Sequence, residues 1–348
     1  MNETIDAVIA VDPHKGSWAA VVVDSRHRVL GEIQVAASRY GYRELRRFAK
    51  AWPEARWAIE GVRGLGEPLA RRLAEDGVDV IDIPAKLASR VRQLSTGHGR
   101  KTDQTDAYSV AVAALIGVRQ PHQWNDQAET LRLLSEHRDD LVKRRTQVIN
   151  RLHVLLMHLV DGGAGPSLTA DRAAELLRGV RRPTGITATR RALATALVAE
   201  VRHLDRQIRS AEDALADEVK RSQTLLLSLD GVGPILAARI IGRCGPVSRF
   251  ETANQFASYC GTAPLEVSSG DVVRHRLSRA GDRQLNHVLH LIALNQVRHG
   301  GDGRAYYERK RAAGKGHREA MRCLKRRLAT VIHRTLVADQ QLRELAAA

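Results

Sequence analysis

Apolar positions fall into short blocks over the first 115 residues and then recur at helical spacing along most of the remaining chain. AVIAVD (7–12), WAAVVVD (18–24) and RVLGEIQVAA (28–37) read as three successive strands, and their short connections predict an antiparallel meander. A helix near 40–52, a strand RWAIEG (56–61), a helix over 66–76, a strand VDVIDI (78–83) and helices over 86–94 and 103–116 follow.

The order βββαβαβαα predicts a mixed sheet flanked by helices. That is the order of a ribonuclease-H-like, RuvC-like α/β domain, here expected over residues 1–117. From Ala128 to Val160 apolar residues return at helical spacing until the Gly-rich break DGGAGP (161–166). Leu197, Val201, Leu204, Ile208, Ala211, Leu215 and Val219 then stand 4, 3, 4, 3, 4 and 4 apart, close to a heptad seam. Residues 126–222 are therefore expected to form a long helical coiled-coil spacer, its seam serving either an intrachain hairpin or subunit assembly. A mainly α-helical third region, 223–341, opens with LLLSLDGVGPILAARIIGRCG, where Gly231, Val232 and Gly233 separate two apolar helical segments. This resembles a helix-hairpin-helix, in which a small turn lets backbone N–H groups approach a DNA phosphate. A plain packing unit of two helices has the same pattern.

Charge changes the picture. The 348 residues carry a formal net charge of +16, and the excess is local: residues 1–110 hold 17 basic and 15 acidic side chains, residues 274–334 hold 16 and 4. Such a concentration favours a phosphate-binding surface over a merely solvated face and excludes an ordinary near-neutral metabolic enzyme. Three cysteines without a CxxC pair suggest neither a disulfide framework nor a zinc site, which fits a reducing, cytoplasmic setting. The N-terminal MNETIDAVIAVDPHKG has no basic-then-apolar leader pattern, and no later stretch suits a membrane span; no membrane partner is expected.

Four acids stand out. Asp12 ends an apolar strand, Glu60 closes the apolar run AIE of a strand expected beside it, and Asp103 and Asp106 lie three apart on one helical face. Each alone has a structural reading; Asp103, for example, suits a helix first turn. Together they would repel strongly, so convergence implies a divalent metal. Magnesium suits all-oxygen ligands, and two ions about 4 Å apart are the arrangement for phosphoryl displacement. His14 and Lys15 read as loop surface, and His98, Arg100 and Lys101 as phosphate contacts.

VDPHK, AIEG and KTDQTDA at these positions, with residues 229–289 downstream, resemble the transposases of insertion-sequence family one-ten, relatives of Piv-type DNA invertases. The resemblance runs over nearly the whole chain and implies a metal-dependent DNA recombinase. Its N-terminal DEDD domain would hold Mg2+ through Asp12, Glu60, Asp103 and Asp106. Its C-terminal domain would supply a serine nucleophile at the SG dipeptide, Ser269 before Gly270, with Ser268 the neighbouring alternative. Read without the family, those serines are an ordinary turn. The resemblance also implies a phosphoserine intermediate, double-stranded donor and target DNA, a guide (bridge) RNA, and a dimer or tetramer with composite sites. Gly231, Gly233, Arg274, Arg276, Arg279 and Arg283 are the expected nucleic-acid contacts. Aromatic residues make up only 4% of the chain, leaving few platforms for reading unstacked bases, which agrees with recognition delegated to base pairing. Asp282 stands where the family is expected to have Asn. A junction-resolving endonuclease that uses metal-activated water is the competing reading.

Overall fold

The structure is a computed structural model that describes residues 6–96, 102–116, 121–269, 272–276 and 281–347. The chain divides into two compact units, Met1–Trp124 and Asn125–Ala348.

In the first unit the predicted meander forms β1 (Ala7–Pro13), β2 (Ser17–Asp24) and β3 (Val29–Ala36). The turn between β2 and β3 is closed by the buried Asp24, whose Oδ1 accepts from the Arg26 and Arg28 amides at 3.0 and 2.8 Å. Helix α1 (Arg39–Ala49), β4 (Arg56–Glu60), α2 (Glu67–Glu75), β5 (Val80–Ile83), α3 (Ala85–Thr96) and α4 (Asp103–Leu115) complete the unit. The five strands lie in the order β3-β2-β1-β4-β5, with β1, β2 and β3 antiparallel and β4 and β5 parallel to β1. This is the strand order expected of a ribonuclease-H-like sheet.

Strand alternation sends side chains to two buried faces. Ile9, Val11, Trp18, Val22 and Ile59 pack with Leu45, Leu69 and Leu73 of α1 and α2. Val8, Ala10, Val21, Ala58 and Ile81 pack with Val91 of α3 and with Ala107, Val110 and Ala114 of α4. Because both faces are covered, β1 reads as a nearly continuous apolar run rather than an alternating one.

The second unit is almost entirely helical: α5 (Asp126–Met157), α6 (Ala170–Gly179), α7 (Gly185–Arg221), α8 (Pro234–Cys244), α9 (Ala253–Tyr259), strands β6 (Leu265–Ser269) and β7 (Val272–Arg276), α10 (Arg283–His299), α11 (Asp302–Ala312) and α12 (His317–Ala347). Helices α5 and α7 run antiparallel, as their ion pairs Arg138–Glu212 and Arg145–Asp205 require. Leu141, Val148, Leu152 and Leu156 of α5 pack with Ala194, Val198, Val201, Leu204 and Ala211 of α7. Much of the apolar seam is thus covered within the chain. Helix α7 begins at Gly185, a dozen residues before the first seam position, and α6, whose start is capped by Thr169, is an element the periodicity did not predict. Before the Gly231–Gly233 turn stands a four-residue 3-10 helix, Leu225–Ser228, rather than an α-helix. No helix among the described residues is long and apolar enough to cross a membrane.

Candidate active site

The register of the sheet explains how the acids meet. Val8, Ala10 and Asp12 face one way on β1, and Ala58 and Glu60 face the same way on β4, because Ala10 pairs with Ala58 and Val11 with Ile59. One step past Val11 and Ile59 stand Asp12 and Glu60, on parallel strands about 4.8 Å apart. The helix covering this face is α4. Its start is capped by Thr102, whose hydroxyl accepts from the Thr105 amide at 3.2 Å. Asp103 and Asp106 lie in the first turn, where the helix dipole favours negative charge. Asp106 is buried at the same helical face as Val110, and Asp103 is half-buried at the rim.

Two of the other carboxylates, Asp12 and Asp106, act on Glu60. Burial, then the charges of Asp12 and Asp106, push the Glu60 carboxyl above the usual range, with Arg92 and His14 acting in the opposite direction. Arg92 of α3 reaches Asp106 Oδ1 at 2.5 Å. His14 Nε2 lies 3.8 Å from Asp12 Oδ2 and 3.6 Å from Asp103 Oδ1, bridging the inner acids to the rim. Gln34 Nε2 donates to Asp103 Oδ2 at 3.1 Å. His14 Nδ1 is buried and has no hydrogen-bond partner among the described residues.

An all-carboxylate donor set suits a hard divalent cation such as magnesium, and mutual repulsion at Glu60 is the strain such an ion relieves. In the conformation described, Arg92 pairs with Asp106, and His14 lies beside Asp12 and Asp103. Among the described residues no three His, Cys, Asp or Glu side chains converge closely enough to hold an ion. The donor chemistry fits magnesium.

In the second unit, Ser269 ends β6 with its backbone paired to Val272, and Ser268 pairs with Val273. Arg274 and Arg276 lie on β7; Gly270 and Arg279, with His98, Arg100 and Lys101, lie outside the described residues. Gly231 adopts φ +81°, a left-handed conformation that favours glycine, and Gln296 Nε2 holds this turn by donating to Asp230 O at 2.7 Å. Gly233 caps the start of α8, and Arg283 is exposed in the first turn of α10.

A family model for transposases carrying the DEDD domain matches residues 9–160, and one described as the transposase IS116/IS110/IS902 family matches residues 223–308. The chain belongs to the IS110/IS116/IS902 family of transposases. It is 28% identical to an uncharacterised 44.8 kDa protein of insertion element IS116 from Streptomyces clavuligerus, over 96% of this chain and 95% of the relative. It is 27% identical to a 42 kDa protein of insertion element IS900 from Mycobacterium paratuberculosis, over 80% and 82%. Against the transposase of element IS1111A from Coxiella burnetii it is 26% identical over 62% and 60%. Among solved structures, Thermus thermophilus RuvC is similar at 15% identity and TM-score 0.27, covering 33% of this chain and 99% of RuvC.

Three residues around the transposase's acids carried no usable sequence signal. His14 reads as loop surface yet bridges Asp12 and Asp103. Arg92 and Gln34 come from a helix and a strand whose patterns report only their buried faces. Asp282 likewise acquires a role: it caps α10, its Oδ1 accepting from the Gln284 and Leu285 amides at 2.9 Å each, with Oδ2 3.3 Å from Arg243 Nε. An acid here serves the fold. Asp282→Ala is expected to cost about 1 kcal/mol of stability, while Asp282→Asn, which keeps an acceptor, loses less; urea denaturation of the two variants checks the ranking.

Proposed function

We propose that this transposase cuts and rejoins DNA by a serine mechanism, with Asp12, Glu60, Asp103 and Asp106 as the magnesium-binding set and Ser269 as nucleophile. The observation that carries the reading is the placement of Asp12 and Glu60 on one face of a ribonuclease-H-like sheet beneath the helix that bears Asp106, with Asp12 and Asp106 both close enough to act on Glu60. Membership of the family supports the serine.

Asp12, Glu60, Asp103 and Asp106 would hold magnesium, which when bound would supply charge neutralisation at the attacked phosphate and favour deprotonation of the attacking hydroxyl. The four carboxylates hold that charge in place. Serine is a weak nucleophile unaided; β6 and β7 carry Glu266 and His275, but activation from the acid set is the account that also gives the four carboxylates their role. Ser269 loses its proton and its oxygen bonds to phosphorus as the bond to the departing strand breaks; the departing oxygen takes up a proton. Attack by another strand's hydroxyl reverses these steps and releases the serine, so rejoining needs no ATP. Arg274, Arg276 and Arg279 neutralise the phosphate, and Gly231, Gly233 and Arg283 contact the backbone. The basic C-terminal stretch serves donor and target DNA together with a guide RNA, and the active form is a dimer or tetramer in which the acids of one subunit act on the serine of another.

Wild-type protein incubated with element-end DNA and magnesium, then denatured, is expected to retain covalently attached DNA, and Ser269→Ala to lose both the adduct and strand joining. Cleavage and joining that survive Ser269→Ala, with no adduct in the wild type, would sink the serine mechanism and leave water-based cleavage of a junction-resolving type.

A further inference from the structure

The strand pair that carries Ser269 leaves the helical body after α9 and returns at α10, and its two ends are tied together. Asp282 N donates to Tyr259 O at 2.6 Å. Asn286 Nδ2 donates to Cys260 O at 2.9 Å and to Gly261 O at 3.0 Å. Gly281, at φ +93°, lies so close to the entering chain that a Cβ there would sit 2.6 Å from Tyr259 O and 2.7 Å from Gly261 N. On the entering side the Thr262 and Ala263 amides both donate to Ala257 O, at 2.8 and 3.2 Å.

This clamp ends in a lysine. Lys325 of α12 is half-buried, and its Nζ donates to Asn286 Oδ1 at 2.5 Å. Among the described residues it forms no ion pair, and burial lowers its pKa. Removing an ammonium from water against a neutral amide is costly compared with a carboxylate partner. The return is specificity of orientation. An ammonium has donors only, so it accepts nothing from Asn286 and fixes which end of the amide is oxygen. With Oδ1 committed to Lys325, both Asn286 N–H bonds point at the Cys260 and Gly261 carbonyls. A serine or glutamine in place of Lys325 would allow the amide to flip and leave two carbonyls facing an oxygen.

We propose that Lys325, acting through Asn286, is a positioning residue that locks the base of the Ser269-bearing strand pair. The role rests on the reading of Ser269 as the nucleophile. A serine at the end of a strand pair is placed by the anchorage of that pair's base, and misplacement of a reacting group by about 1 Å costs on the order of 10²-fold in rate.

The test uses full-length Lys325→Met, Lys325→Arg and Asn286→Asp. Asn286→Asp is the sharper variant, since it strengthens the contact with Lys325 through an ion pair while removing both donors to Cys260 and Gly261. Amide hydrogen exchange is expected to accelerate by about tenfold within 262–281 in Lys325→Met and Asn286→Asp, with α10 and α12 unchanged. For the same two variants the rate of covalent adduct formation on saturating element-end DNA falls at least about tenfold while DNA affinity holds. Lys325→Arg, still a donor without an acceptor, restores most of both. Unchanged exchange within 262–281, or exchange that rises equally along α9, α10 and α12 with a lower melting temperature, overturns the proposal, as does a normal adduct rate in Asn286→Asp. A wild-type protein that forms no adduct at all sinks the serine reading and the positioning role together, whereas unchanged exchange beside a normal wild-type adduct sinks the positioning role alone.

Discussion

Replacing Glu60 with Gln is expected to abolish strand cleavage and, at the same time, to raise the melting temperature of the metal-free protein near neutral pH. The two effects share one cause. Burial, Asp12 and Asp106 hold the Glu60 carboxyl above its ordinary range, so above that raised pKa the group is ionised in both states and the folded state bears the repulsion. Gln removes the charge and with it the repulsion. The sign with pH follows: as pH falls through the raised pKa, wild-type Glu60 takes up its proton and the advantage of Gln disappears. Cleavage moves the other way. Loss of an oxygen donor from the acid set should exceed the roughly 10- to 100-fold that removal of an outer-shell partner typically costs. Thermal melts of wild type and Glu60→Gln at several pH values, with and without magnesium, check both halves. Magnesium is expected to stabilise wild type more than the variant. A metal-free variant that melts below wild type at neutral pH would show that Glu60 is not under strain.

The second large effect is structural. Helix α8 crosses α5 at Gly242, where a Cβ would lie 2.7 Å from the Arg132 backbone N and 2.8 Å from its Cα. Alanine improves helix propensity by about 1 kcal/mol over glycine. The clash involves backbone on both helices, which cannot swing aside as a side chain can, so it outweighs that gain. Gly242→Ala is expected to destabilise despite the better propensity, and Gly242→Val by about 3 kcal/mol. For a unit of this size that lowers the melting temperature by roughly 6–12 °C. Gly179, at the end of α6 with nothing within 4 Å of its would-be Cβ, is the control; its alanine variant should melt like wild type.

The strands, the sheet and the shared face of Asp12 and Glu60 were legible because period and parity carry them. Residues 8, 10 and 12 on β1, with 58 and 60 on β4, share a face once the two strands are neighbours, and the βββαβα order makes them neighbours. What surrounds the acids was not legible. His14 sits in a polar turn whose composition suits plain surface, and Arg92 is one of several basic residues on α3; only the three-dimensional path brings them to Asp12, Asp103 and Asp106. Helix α6 escaped because ten residues give too few turns for periodicity to register after a glycine-rich break. Ser269 had no signal of its own either: a serine beside a glycine in a short strand pair is an ordinary turn, and its assignment came from the family resemblance. The Asn286–Lys325 clamp lay beyond any local pattern, since its partners are 26 and 39 residues from Asn286 along the chain.

The antiparallel pair of α5 and α7 has a built-in unit of length. Its ion pairs fall seven residues apart on both helices, from Arg138 to Arg145 on one and from Glu212 back to Asp205 on the other. At 1.5 Å per residue, one such step is about 10.5 Å. Seven residues removed from each helix at matching positions shorten the rod by one step and leave every remaining contact in register; seven removed from one helix alone shift the whole seam. Relatives that differ in length through this region are thus expected to differ in paired sevens, so that reach varies in fixed steps while the packing surface stays the same.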